Sequence, residues 1–195
     1  MLWLPIVVAL IAAFASGGKL AGLRRLPLGG LTLIVAGFVL QLLAIRQAAS
    51  ASWLMYHGLL VGGALVNLAG FGFLWNLPFG KAMFLGVALN LVAMLANGGA
   101  MVITPENAAG AGFPTVSVAG EQRLTVGKSV AKPWDQTNLP WLTDFIHLKL
   151  PSYEKFFSVG DVILALAAGG MLFALLKEQE PSVPPPAPER VPVSF

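Results

Sequence analysis

The chain has 195 residues, of which 56% are hydrophobic and only 11% charged, and 12 lysines and arginines against 9 acidic residues leave a formal charge of +3. An ordinary soluble domain carries roughly a quarter charged residues, so this composition, with a mean hydropathy of +0.77, argues against a soluble domain and predicts an integral membrane protein. The positive surplus is too small to propose nucleic acid as a partner and suits a chain beside anionic lipid; the absence of cysteine excludes disulfides, thiolate catalysis and cysteine metal sites.

In chain order, five nearly uncharged runs approach the roughly 17 to 25 residues that cross a bilayer as helix, and predict helices over residues 2–16, 28–45, 53–75, 78–97 and 159–176. Ala13-Phe14-Ala15 resembles a signal-peptide cleavage site. No positive residue precedes that run, however, and Lys19, Arg24 and Arg25 follow it, which predicts an uncleaved anchor with its N-terminus outside. The third run carries Trp53 and Tyr56 at one end and Phe73 and Trp75 at the other, where amphipathic rings sit at headgroup level. Asn76-Leu77-Pro78 then predicts a tight turn, with Asn76 capping the fourth helix and Pro78 in its first position. Asn97-Gly98-Gly99 closes that helix with residues that tolerate the left-handed conformation.

Residues 98–158 form the long polar loop. Thr115-Val116-Ser117-Val118 and Arg123-Leu124-Thr125-Val126 alternate around Ala119-Gly120-Glu121-Gln122, which predicts a β-hairpin. Asn138-Leu139-Pro140-Trp141 looks like a helix start, and the spacing of Trp141, Phe145 and Leu148 predicts a short interfacial helix. Ser158 is placed to cap the last helix, with Asp161 in its first turn. After Lys177-Glu178 the residues 178–195 are dense in proline and predict a disordered, partly polyproline-II tail. The fold expected is thus an all-α membrane protein, one domain over residues 1–177, with about five transmembrane helices and a structured extracytoplasmic loop between the fourth and fifth.

If five helices alternate, Lys19, Arg24, Arg25, Lys81 and Lys177 fall on one side and Arg46 alone on the other. The positive-inside bias then puts the N-terminus and the loop outside and the C-terminus in the cytoplasm. Small residues and interhelical hydrogen bonds must hold such helices together, because lipid removes the hydrophobic drive. The candidates are Gly58, Gly62, Gly63, Asn67 and Gly70 on the third helix and Gly86 and Asn90 on the fourth, with Asn67 and Asn90 at similar depth and expected to bond across the hairpin. No charged residue falls in mid-membrane, which argues against a proton-coupled pump or an ion channel.

The candidate site gathers Asn97, Gly98, Gly99, Thr137, Asp144, Ser158 and Asp161 where the two helix caps meet. Asp144 and Asp161 are carboxylates that could share general acid-base work or hold a divalent metal, at a distance the sequence does not fix, with Thr137 and Asn138 as polar contacts and His57 or His147 nearby. Against this, Asp161 and Ser158 have an adequate role as a cap, and both histidines suit an interface. No catalytic-triad order, zinc-protease motif, phosphate loop or dinucleotide fingerprint stands in a usable context, so neither metal nor cofactor is expected.

Gly17-Gly18-Lys19-Leu20, Gln41, Asn97-Gly98-Gly99-Ala100-Met101, the series Thr137, Leu139, Leu142 and Asp144, and Phe157-Ser158-Val159-Gly160-Asp161 together resemble an uncharacterised family of small bacterial integral membrane proteins, a domain of unknown function. The Asn-Gly-Gly-x-Met and Phe-Ser-Val-Gly-Asp elements are the specific part. Members of that family tend to follow the first element directly with proline, whereas here Val102 follows and the proline arrives at Pro105. The resemblance implies a location in a bacterial cell membrane and brings no activity or cofactor. The leading expectation is a non-enzymatic membrane module whose loop binds a protein partner or a small ligand. An envelope enzyme acting on lipid-linked or peptide substrates through Asp144 and Asp161 ranks second, and a small transporter third.

Overall fold

The computed structural model describes residues 4–150 and 153–177. Its order is α1 (Leu4–Ala15), a 3-10 turn (Leu20–Arg25), α2 (Leu28–Arg46), α3 (Trp53–Gly72), α4 (Gly80–Ala96), β1 (Met101–Ile103), α5 (Pro105–Gly110), β2 (Thr115–Val118), β3 (Glu121–Leu124), β4 (Ser129–Ala131), two further 3-10 turns (Trp134–Gln136 and Pro140–Leu142), β5 (Ile146–Leu150), β6 (Tyr153–Phe157) and α6 (Val159–Lys177). The proline-rich tail expected over residues 178–195 lies outside the described residues.

Three helices, α2, α3 and α6, with 19, 20 and 19 residues, are long and apolar enough to cross a membrane, since a rise of about 1.5 Å per residue carries each close to the roughly 30 Å of hydrocarbon. The apolar α1 and α4 are shorter, at 12 and 17 residues. Ser52 caps α3, its hydroxyl accepting from Met55 N. The expected Asn76 cap is not formed: α4 begins at Gly80 behind Phe79, whose φ of 61° turns the chain. There Gly80 packs so closely on the Leu74 carbonyl that no side chain would fit.

The all-α expectation is corrected by a β region. Residues 98–158, hereafter the cap, hold a four-stranded sheet in the order β1-β4-β3-β2, with β1 parallel to β4 and the other pairs antiparallel, and a second sheet of β5 and β6. Strands of three residues are too short to show a period in sequence. The β2–β3 hairpin forms, but Val118 pairs with Glu121, leaving Ala119-Gly120 as a two-residue turn where the alternation pointed to four. Both turn residues have positive φ, 52° and 82°, the geometry whose twist matches the flanking strands. The expected interfacial helix is absent; a single 3-10 turn, Pro140–Leu142, leads instead into β5. Ile146, Leu148 and Leu150 alternate with His147 and Lys149, a period of two, and the helical spacing of Trp141, Phe145 and Leu148 was coincidental.

Helix pairing follows the glycines. A Cβ on Gly63 would lie 2.6 Å from the Gly37 carbonyl oxygen, and one on Gly70 2.9 Å from that of Gly30, so α3 packs backbone to backbone on α2. Likewise α4 packs on α6, a Cβ on Gly86 falling 2.7 Å from the Gly160 carbonyl oxygen, and α1 on α6, where Gly169 meets Pro5. Gly58 and Gly62 face nothing within 4 Å. The Asn67–Asn90 bond is not formed either, since Asn90 is held by α6. At one end of the bundle Lys19 N donates to Leu176 O at 2.8 Å and Lys177 Nζ to Ser16 O at 2.7 Å, beside the turn that carries Arg24 and Arg25. The cap covers the opposite end.

Candidate functional site

What seats the cap on the helices is β3. Glu121 and Arg123 are two apart and so project from one face of the strand. Arg123 is fully buried, its guanidinium 4.4 Å from the Tyr56 ring centre and its Nη1 donating to the carbonyls of Ala48 and Ala51, between α2 and α3. Its Nε donates to Glu121 Oε2 at 3.2 Å. The same carboxylate accepts from Trp53 Nε1 at 3.1 Å and lies 2.9 Å from His57 Nε2. Burial works to raise the Glu121 pKa, but hydrogen bonds and charge from His57, with Arg123 and Trp53, outweigh it and hold the carboxyl below its ordinary value.

Beside this seat, three charged side chains from three segments meet. Asp161 opens α6, its N–H donating to Ser158 Oγ at 3.0 Å, and Ser158 Oγ in turn donates to Asn90 Oδ1 at 2.7 Å. Asn90 Nδ2 donates to Asp161 Oδ1 at 2.7 Å, so α4 fixes both members of the cap. Lys128, on the turn between β3 and β4, pairs with Asp161 Oδ1 at 3.6 Å. Asp144, placed by its N–H donating to Val102 O at 3.0 Å, accepts from Ser129 Oγ at 2.6 Å through Oδ2. Its other oxygen, Oδ1, is buried and has no partner.

Two carboxylates against one ammonium leave one negative charge in excess when both acids are ionised. Burial pushes the Asp144 carboxyl up and the Asp161 charge adds to the effect; Lys128 and the Ser129 hydroxyl offset only part, leaving it at about 7. Burial acts to lower the Lys128 ammonium, but Asp161 and Asp144 overcome that and hold its pKa above the ordinary lysine value.

These groups form the polar floor of a cavity of about 330 Å³ between the cap and the bundle, walled mainly by Phe38 of α2, Phe113, Leu124, Phe156 and Phe157 of the cap, and Leu164 of α6. Below it a second cavity of about 50 Å³ shares Phe38, Gln41, Lys128, Asp161 and Leu164, and is also lined by Asn67 and Asn90. Asn67 Oδ1 is buried without a partner. Such a space has room for an ordered water, which needs only about 10–15 Å³ and polar partners. Among the described residues no three histidines, aspartates or glutamates are grouped to hold a metal ion.

The seven candidate residues divide. Asp144, Asp161 and Ser158 come together. Asn97, Gly98, Gly99 and Thr137 stand apart from the cavity. Asn97 donates to Ala93 O and Asn138 O, both at 2.8 Å, and accepts from Asn138 N at 2.9 Å, tying the cap to the end of α4. Gly98 and Gly99 have φ of 81° and 104°, and a Cβ on Gly99 would come 3.0 Å from that of His57. Thr137 donates to Pro133 O at 2.7 Å and completes a turn. His147 stacks on Phe156 and pairs with Glu154, away from the charged floor. Sequence reasoning missed Lys128 and Arg123. For Arg123 a signal existed, an opposite charge two residues away on the same strand face; for Lys128 there was none.

A family model described as a family of unknown function (DUF5317) matches residues 25–175. No curated protein and no solved structure matches the chain.

Proposed function

We propose, from the premise that the chain belongs to this family of unknown function, that it is a non-enzymatic integral membrane module whose cap and helices together hold a small amphiphilic ligand. The observation that carries this reading is the cavity: aromatic and aliphatic walls over a charged floor, the usual make-up of a small-molecule site. Its polar groups come from the cap and from α6 together, so ligand occupancy would couple the cap to the bundle.

In this reading the chain is one multi-pass domain of a bacterial cell membrane, with α1, α2, α3, α4 and α6 spanning, the cap outside and the C-terminus in the cytoplasm. Gathering of Lys19, Arg24, Arg25 and Lys177 at one end supports that orientation. The chain has no cysteine, so single cysteines report cleanly. A membrane-impermeant maleimide added to intact cells should label Ser117→Cys and spare Lys19→Cys; the reverse pattern would overturn the orientation. For the ligand, photoactivatable alkyl probes should label cavity residues of the purified chain at saturable stoichiometry. Labelling that stays unsaturable and spread evenly over lipid-facing residues would sink the binding reading. A protein partner docking on the cap would be read separately in intact cells, as a discrete second chain crosslinked to a photoreactive residue at the exposed Trp141.

One observation favours a second reading, an envelope enzyme. Asp144 is raised to about 7 and so is about half protonated at pH 7, while its neighbour Asp161 is ion-paired with Lys128, and carboxylates in such divided environments can serve as acid and base. Asp144→Asn and Asp161→Asn at wild-type abundance should then each abolish a phenotype shown by deletion; full complementation by both refutes catalysis. With no charged residue in mid-membrane, a transporter remains third.

A further inference from the structure

We infer that the cavity between cap and bundle is a site for a protonated primary amine carried on an apolar chain, its ammonium donating to Asp144 Oδ1. This rests on the amphiphile reading above and adds the chemistry of the head group.

Asp144 is only 8% exposed. Its Oδ2 is satisfied by Ser129 at 2.6 Å, while Oδ1 lies buried and unpartnered on a residue that lines the cavity. A buried acceptor without a donor is costly, so a group that donates to it removes that cost. Acceptor-only head groups are disfavoured, because Asp144 and Asp161 already crowd the floor with negative charge. A cation is favoured for the converse reason: on the floor Lys128 offsets one of the two carboxylates and an ammonium offsets the other, while Lys155, the second ammonium lining the cavity, is held on the wall over the Phe113 ring. An alcohol supplies the hydrogen bond without the charge, and a quaternary ammonium supplies the charge without the hydrogen bond. Of these three, only a protonated amine meets both demands.

The walls fit the remainder of such a molecule. Aromatic faces attract cations, and the Lys155 ammonium already stands 5.1 Å from the Phe113 ring centre within this cavity. Phe38 and Leu164 continue the apolar lining down α2 and α6, and Phe38 is half exposed on the outside of the helices. An alkyl chain thus has an apolar way toward lipid while its amine stays at the floor. Primary amines of this form occur both as aminophospholipid head groups and as free single-chain amines.

The test uses the full chain in phosphatidylcholine nanodiscs at pH 8, where the choline head groups offer no N–H. Octylamine, octanol and octyltrimethylammonium are titrated by calorimetry, with empty nanodiscs subtracted. Octylamine should bind saturably, about tenfold or more tighter than either control, as expected for one charge-assisted hydrogen bond, and Asp144→Asn should remove that preference. The wild-type comparison of the three probes stands even if the variant fails to fold. Equal binding of all three overturns the amine inference and leaves the amphiphile reading intact; saturable binding of none overturns both. Repeating the titration in nanodiscs containing phosphatidylethanolamine identifies the source: loss of octylamine binding by competition assigns the site to a lipid head group, and unchanged binding assigns it to a free amine.

Discussion

Replacing Arg123 by alanine should release the cap from the helices while leaving the helices folded. The side chain is fully buried, donates to Glu121 and to two carbonyls after α2, and covers the Tyr56 ring. Its loss strands two buried acceptors and leaves the Glu121 carboxylate with Trp53 and His57 alone; removing one partner of a buried charged pair costs about 3–5 kcal/mol. The loss of the cation–π contact falls within that range rather than adding to it. At about 1.4 kcal/mol per decade, hydrogen exchange of amides in β1 and β4 should accelerate by roughly two to nearly four decades, where exchange proceeds through cap opening. Amides in the middle of α2 and α3 should keep wild-type rates. Glu121→Gln keeps the carbonyl anchors but leaves the fully buried guanidinium without its countercharge, so it should accelerate the same amides as well, by about a decade or more. Wild-type cap protection in Arg123→Ala would refute the claim that this guanidinium seats the cap, and uniform acceleration through the helices would refute the separation of cap from bundle.

Three further outcomes are expected. Asp144 has an ordinary carboxyl value of 3.8 and is raised to about 7 in the fold, so the folded state binds the extra proton between these values; stability is fully present below about pH 4 and declines as pH rises to about 7. Thermal melts should show that decline in wild type and a flatter profile in Asp144→Asn, whereas identical profiles would contradict the buried placement of this carboxyl. Ala119 holds a φ of 52° in the two-residue hairpin turn, a conformation asparagine accepts more readily. Ala119→Asn should therefore stabilise the cap by about 0.5–1 kcal/mol, read as slower exchange in β2 and β3; a destabilised hairpin would count against the turn geometry. Gly160→Ala places a methyl against the Gly86 backbone and Asn90, while Gly58→Ala meets open space. The first should cost about 1–3 kcal/mol by overpacking and the second almost nothing, a contrast visible as monodispersity after heating in detergent.

Most of the helices were legible in the sequence, and so was part of the site. Runs of apolar residues mark α2, α3 and α6 because hydropathy is summed over neighbours along the chain. The Ser158–Asp161 cap and the β2–β3 hairpin were legible for a similar reason: their partners lie within three to nine residues of each other. The β5–β6 hairpin is equally local, but its alternation coincided with a helical spacing at Trp141, Phe145 and Leu148. The convergence of Asp144 and Asp161 was expected as one arrangement among several, without the lysine between them.

By itself the sequence determined the class of the protein, an apolar chain with a polar cap inserted before its last helix, because composition and near-neighbour spacing are properties of the chain alone. Only the tertiary structure decided which helices pair, that Arg123 is buried rather than exposed, and that Lys128 meets Asp144 and Asp161. The physical reason is that these helices are apolar on every side. Lipid and protein interior are alike to a leucine, so hydropathy does not say which face turns inward. That choice falls to backbone contacts such as Gly37 on Gly63 and Gly86 on Gly160, and these in turn set where the cap residues meet.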